Sequence, residues 1–229
     1  MRKPVILFLH ILFLLNAFAL QAQNYNAVEW PQATIVLAGG DTVAGPVVFY
    51  RAEEVLHLNT GNETATTLTP VLVSSFRVEE EGRLRQFRTY LWNRGKDYSD
   101  YRSPAFFEQL NTGNYSLLKR EILRQDIVRN DPFWNPYGNF GGPPYGSHSF
   151  MTSVQELFYI HTPKGNIISL RKPKQDVLRI FASHQKQIRK YVDDNDLKYN
   201  RKNDLIRIVK YYNSLTDPTA PKIDEPVKP

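Results

Sequence analysis

The sequence predicts an α+β fold: an antiparallel β-meander or small open barrel with C-terminal helices packed on it. Three observations lead there. From Ala33 to Leu170, runs of alternating apolar and polar residues are separated by turn residues at roughly every 8–12 positions, the spacing of a small antiparallel barrel or sandwich. After Leu170 the apolar period lengthens to that of a helix. Between the two lies Glu156–Leu170, ELFYIHTPKGNIISL, read as two strands meeting at Pro163-Lys164-Gly165-Asn166. Phe158, Ile160 and Thr162 share one face there, and Leu157, Tyr159 and His161 the other, so both faces are expected to be covered. Gly165 supplies a positive φ at little cost, and Asn166 tolerates one, which suits a tight turn.

At the start of the chain, Met1-Arg2-Lys3 is a short basic region and Val5–Leu20 is apolar except for His10 and Asn16. Leu20-Gln21-Ala22 then offers a small residue for cleavage. This is the anatomy of a secretory signal peptide over residues 1–22. The apolar run falls short of the ~20 residues of a spanning helix, although an uncleaved anchor is the alternative. No later segment is apolar enough to span a bilayer, so no transmembrane segment is expected after signal cleavage.

The chain has no cysteine, which excludes disulfides, thiol nucleophiles, thiolate metal sites and the acylated cysteine of a lipoprotein. An exported bacterial protein, periplasmic or associated with the cell surface, accounts for both the leader and that composition.

The β region is read over residues 23–170. Thr34-Ile35-Val36-Leu37 is a strand, Gly39-Gly40-Asp41 a turn, and Thr42–Tyr50 a strand with a bulge or break at Gly45-Pro46. Val55–Asn59 and Val71–Val78 follow, then a turn at Glu79-Glu80-Glu81-Gly82 and the alternating run Leu84–Trp92. Phe106–Ile122 is ambiguous between helix and strand. The turn residues Asn111-Thr112-Gly113-Asn114 and the alternation of YSLLKREIL favour a hairpin.

Residues Asn130–Phe150, NDPFWNPYGNFGGPPYGSHSF, show no period and are rich in Pro, Gly and aromatics. Long loops of this kind often carry function. The expected partner-binding residues are therefore Phe133, Trp134, Tyr137, Phe140 and Tyr145, whose rings suit a sugar or a partner's apolar patch. A passive insertion is the alternative.

Residues 171–216 are read as a helical segment. Val177, Leu178, Phe181, Ile188 and Val192 form one apolar stripe, which Ser183–Lys186 could split. Asn203 suits an N-cap, and Leu205, Ile208, Val209, Tyr212 and Leu215 form a second stripe. Neither helix is long enough to stand alone, so both should pack on the sheet. Residues 217–229 read as a disordered tail.

Residues 23–170 hold 13 basic and 15 acidic side chains (−2), whereas residues 171–229 hold 14 and 8 (+6). The basic helices suit an acidic surface, and export argues against nucleic acid.

Catalytic signatures are absent. His57, His148, His161 and His184 stand at no metal-ligand spacing, and Asp193-Asp194-Asn195-Asp196 lacks the Gly and Glu of a calcium loop. There is no GxSxG elbow and no phosphate-binding glycine loop. No catalytic residue, metal or cofactor is expected.

The leader, the strand DTVAGPVVFY, the hairpin FFEQLNTGNYSLLKRE and the helix DLIRIVKYYNSL together resemble a group of uncharacterised exported bacterial envelope proteins, a β-meander followed by C-terminal helices. The resemblance implies no activity, cofactor or catalytic residue. The expected function is non-catalytic binding or assembly in the cell envelope, with an envelope protein or glycan as partner. The alternative is a hydrolase of an envelope or dietary glycan or peptide, and a third class is a small-ligand carrier using the sheet's concave face. N-terminal sequencing of the exported protein should begin near Gln23, and recovery of intact Met1 in a soluble cytoplasmic pool would overturn the export reading.

Overall fold

The computed structural model describes residues 25–59, 61, 65–96, 98–129 and 148–217. The leader, the five aromatic residues assigned to partner binding and the tail beyond Asp217 lie outside them.

The strands are β1 (Ala27–Leu37), β2 (Thr42–Tyr50), β3 (Val55–Leu58), β4 (Thr66–Leu68), β5 (Val73–Glu80), β6 (Arg83–Trp92), β7 (Ser103–Gln109), β8 (Ser116–Arg129), β9 (His148–His161) and β10 (Ile167–Ser169). Three helices follow, α1 (Pro173–Ile180), α2 (Gln185–Asp194) and α3 (Lys202–Thr216). The strands form one antiparallel sheet of ten, in the order β10-β9-β8-β7-β6-β5-β1-β2-β3-β4, with β4 and β10 as its open edges. This is the predicted α+β class. The meander runs outward in both directions from a central β1, because β5 returns to pair with β1 rather than with β4.

Local chemistry accounts for the turns and irregularities. Glu81 and Gly82 both take positive φ (51° and 71°), the two-residue turn that matches strand twist, and Glu79 and Glu80 stay in β5. The expected break at Gly45-Pro46 lies in the partner strand instead. The β1–β2 register shifts between Trp30 and Ala33, so Pro31 and Gln32 together oppose Pro46. A proline without an N–H is tolerated at such a bulge, and the extra residue sharpens the bend. The Phe106–Ile122 segment is a hairpin, as the turn residues indicated. Asn203 is not the α3 cap: the helix begins at Lys202 after Arg201, with no side-chain cap, while Asp204 accepts a bond from the Lys198 backbone N–H.

The sheet is rolled. Phe49 on β2 meets Phe106 on β7 edge-on, with ring centroids 6.2 Å apart, although three strands separate β2 from β7 in the sheet. Trp30, Phe76 and Phe87 fill the space between them, the last two stacked at 4.4 Å as direct cross-strand neighbours. On the opposite face, Trp92, Ala105, Phe107, Leu118 and Tyr159 make a second core. The third core is helical, with Val177, Phe181, Ile188, Leu205, Ile208 and Val209 packed on Leu117 and Ile160. Adjacent Leu117 and Leu118 thus enter different cores, and β8 and β9 are covered on both faces there, as the side chains of Leu157–Thr162 predicted for β9.

The α3 helix is pinned to the β7–β8 turn. Asn213 accepts from the Tyr115 N–H at 2.9 Å and donates to the Tyr115 carbonyl at 2.8 Å. Gly113, with φ +135°, permits this approach, since a Cβ there would lie 2.5 Å from the Asn213 amide nitrogen. Tyr212 stacks on Phe181 at 3.8 Å, and Tyr115 meets both rings edge-on. Asn213→Leu leaves the Tyr115 N–H unpaired and its carbonyl with only the Asn111 amide, and should cost about 1–3 kcal/mol, with Gly113→Ala costing a similar amount. The pair should be sub-additive in urea unfolding because both remove one contact, and full additivity would show that they act separately.

Candidate functional site

The described polar residues converge most densely where the rolled aromatic core meets the helical core. Register brings them together. Residues directly opposite in a ladder share a face, and Glu108 opposes Lys119 while Glu121 opposes Glu156. On β8, Lys119 and Glu121 lie on the same face as Leu117, which belongs to the helical core. On β6, Arg85 shares its face with Phe87 of the aromatic core. The strand pattern therefore places charged side chains where both cores are apolar.

These charges are paired. The Arg85 guanidinium donates to Glu80 at 2.7 Å, to Glu108 at 2.6 Å and to Glu121 at 2.8 Å, and lies 5.1 Å from the Phe87 ring centroid. The Lys119 ammonium, only 4% exposed, lies 2.9–3.0 Å from Glu108, Glu121 and Glu156. Arg51, on the β2–β3 turn, donates to Glu121 at 2.7 Å across the mouth of the roll. Lys202 of α3 reaches Glu156 at 4.0 Å and ties the helices to the network.

A smaller network adjoins it. Glu54, on the same turn as Arg51, is held at φ 55°, an uncommon conformation for a side chain of this kind. Its buried carboxylate accepts from Arg94 and, at 2.6 Å, from Arg120. The Arg120 guanidinium lies 4.8 Å from the Trp92 ring centroid, where the aromatic face attracts it. These bonds hold the strained turn against β8.

This arrangement shapes the chemistry. Burial by itself would raise the Glu121 carboxyl, but Arg85, Lys119 and Arg51 hold it at about 2. Burial likewise opposes the Lys119 charge, yet Glu108 and Glu121 push its pKa above the ordinary lysine value. A carboxylate this acidic is a poor proton donor at neutral pH, and an ammonium this basic is a poor nucleophile. Glu108, Glu121 and Glu156 converge on Lys119, which sits where a cation would. No group of carboxylates and histidines suited to a metal occurs among the described residues. The cavity beside the cluster, lined by Trp30, Phe49, Arg85 and Glu108, holds about 20 Å³, the space of about one water. The rolled aromatic core beside the cluster is filled by its own rings.

The other candidate residues stay apart. His57 packs on Tyr50 with ring centroids 4.9 Å apart, and His161 packs on Tyr90 at the same distance, its pKa lowered by burial. His184 bonds to neighbouring Ser183 at 2.9 Å. Asp193 and Asp194 end α2, and Asp196 turns the chain at φ 47°. Sequence reasoning missed the cluster. The signal was Lys119-Arg120-Glu121 set between Leu117-Leu118 and Ile122-Leu123, with charges on both faces of the strand.

Glu121 supplies a test. Its folded pKa lies below the ordinary value of 4.5, so its stabilising effect is complete above about pH 4.5 and fades as the pH falls toward 2. The effect is on the order of 3 kcal/mol. Urea midpoints measured from pH 7 down to pH 2 should fall steeply through that window in the parent chain. Glu121→Gln should be less stable at pH 7 and show a flatter acid limb; an unchanged limb would remove Glu121 from the account.

No family model matches the chain, and no curated protein or solved structure is significantly similar to it. What the cluster and the surrounding surface do therefore follows from their own geometry.

Proposed function

We propose that this is a non-catalytic binding or assembly protein of the bacterial cell envelope. The observation that carries the reading is the arm formed by β8 and β9. The two strands pair over their whole length, from Ser116↔His161 to Arg129↔His148, while β7 joins β8 only at Lys119 and Leu118, and β10 joins β9 only at Tyr159–His161. From Leu123 and Val154 outward they are a two-stranded ribbon with no other strand partner among the described residues. An isolated ribbon is marginally stable, so one of this length is kept for something other than the core.

The ribbon's far half carries large apolar side chains. Ile127 and Phe150 are directly opposite each other and 60% and 65% exposed, and Met151 next to Phe150 is 57% exposed. In sequence, the aromatic set Phe133, Trp134, Tyr137, Phe140 and Tyr145 lies between the two ends of this arm. Exposed apolar residues grouped on a projecting element fit capture of a partner. The hydrolase alternative finds less support, because the described carboxylates that converge are held as ion pairs beside a cavity of one-water size.

A photoreactive phenylalanine at Ile127 or Phe150, in the exported protein in its own host, should give the same discrete cross-linked adduct from both positions. Leu84, 68% exposed on β6, should give none. With the photoreactive residue moved to the neighbouring exposed Met151, Ile127→Asp with Phe150→Asp should abolish the adduct and change stability by less than about 0.5 kcal/mol, as for surface sites. Equal labelling at all three positions, or none at any, would overturn the reading.

A further inference from the structure

We propose that the free edge of β10 takes up an extended acidic peptide segment as an eleventh strand. The inference rests on the binding reading and gives it a partner class, at a site separate from the arm.

The edge is available. β10 ends the sheet, and its ladder phase is set on either side: the Thr162 N–H donates to the Asn166 carbonyl and the Leu170 N–H to the Phe158 carbonyl, both at 2.9 Å. In an antiparallel pair the hydrogen-bonded positions alternate. Asn166, Ile168 and Leu170 thus direct their backbone groups at β9, and Ile167 and Ser169 direct theirs outward. Backbone groups along such an edge are a template for an added strand.

A cleft runs beside that edge. It has two lobes of about 240 and 360 Å³, which share Trp92, Ile167 and Ile168 as an apolar floor. Its charged rim decides what fits. Arg102 borders one lobe, and Arg171, Lys172 and Arg179 border the other. Against these four cations the lining offers one carboxylate, Asp176, so the lining sums to 4 − 1 = +3. Asp176 is already engaged by the Lys172 N–H at 2.7 Å and by Arg179 at 2.8 Å. A three-residue edge offers few backbone bonds, so affinity must come largely from side chains. A segment alternating carboxylates with β-branched residues would set one series on the arginines and the other on the isoleucines. A second copy would bring an equally basic rim to the same place, and like charges across a pair are unfavourable.

The experiment uses fluorescence anisotropy of the full mature chain with a labelled heptapeptide alternating Glu or Asp with Val. Its controls are the same peptide with Lys at the acidic positions and an acidic version N-methylated at alternate amides. The acidic peptide should bind and weaken with added salt, and both controls should bind at least tenfold more weakly. Arg102→Glu with Arg171→Glu should cost at least tenfold. Ser169→Pro should cost as much, because it removes an outward N–H and leaves the bonds to β9 intact. If Ser169→Pro proves unfolded, the N-methylated peptide still tests the edge.

Equal binding of acidic and basic peptides would overturn the proposal. Full affinity of the N-methylated peptide would also overturn it by showing anion binding alone, and self-association through β10 would do so by filling the edge with a second copy. If the acidic peptide fails while the arm still cross-links, this inference falls and the binding reading stands; loss of both removes both.

Discussion

The buried ion network around Lys119 is the constraint on which the rest of the architecture depends. A 4%-exposed ammonium between two apolar cores is tolerable only with its three carboxylates in place. Those carboxylates come from β7, β8 and β9, while the guanidiniums that balance them come from β6 and from the β2–β3 turn. The β6–β9 partners are neighbours in the sheet, and it is the Arg51–Glu121 pair that needs the sheet to roll until elements far apart in its order meet. Hydrophobic burial is the larger driving force but is indifferent to small shifts in register. Slipping β8 by one residue would move Lys119 and Glu121 to the other face and leave Glu108 and Arg85 short of partners. The network then specifies one arrangement, at a desolvation cost that well-packed apolar residues would not incur.

The same network links parts of the molecule that share no ladder. Lys202 carries it to the first turn of α3, and the last turn of α3 is fastened by Asn213 to the backbone of Tyr115. The helix is thus held near both ends by polar contacts, with Leu205, Ile208 and Val209 buried between them. Glu54 plays a comparable part on the other side of β8. Its left-handed backbone is an unfavourable conformation offset by two arginines, both of which also lie over Trp92.

The described interior is taken up by mutual neutralisation and ring packing, and the two surfaces proposed for binding lie at the periphery. They differ in kind. The arm presents exposed aliphatic and aromatic side chains on a ribbon whose outer half has no other strand partner among the described residues. The β10 edge presents backbone groups above an apolar floor within a basic rim. Short edge strands are a common way for proteins to avoid unwanted pairing, and in the proposed peptide site the brevity of β10 shifts selectivity from its backbone to Arg102, Arg171 and Arg179 on the rim.

Fold class and most strands were legible in the sequence because period and turn chemistry are local. Gly165 marked the β9–β10 turn, Glu81-Gly82 the β5–β6 turn, and the stripes Val177–Val192 and Leu205–Tyr212 the buried helix faces. Missed features had non-local causes. The bulge at Pro31-Gln32 shows only against the register of β2, and the central position of β1 follows from where β5 returns. The α3 cap went astray because Asn203 is a good local choice, yet the bond from Lys198 to Asp204 sets the helix start. Lys119, Arg120 and Glu121 were visible as charges between Leu117-Leu118 and Ile122-Leu123, but alternation alone reads them as a solvent-facing series. Only the tertiary structure decides that both faces of that strand are covered, because burial depends on which distant elements pack there. Each charge must then find its partner among residues that are remote in the chain.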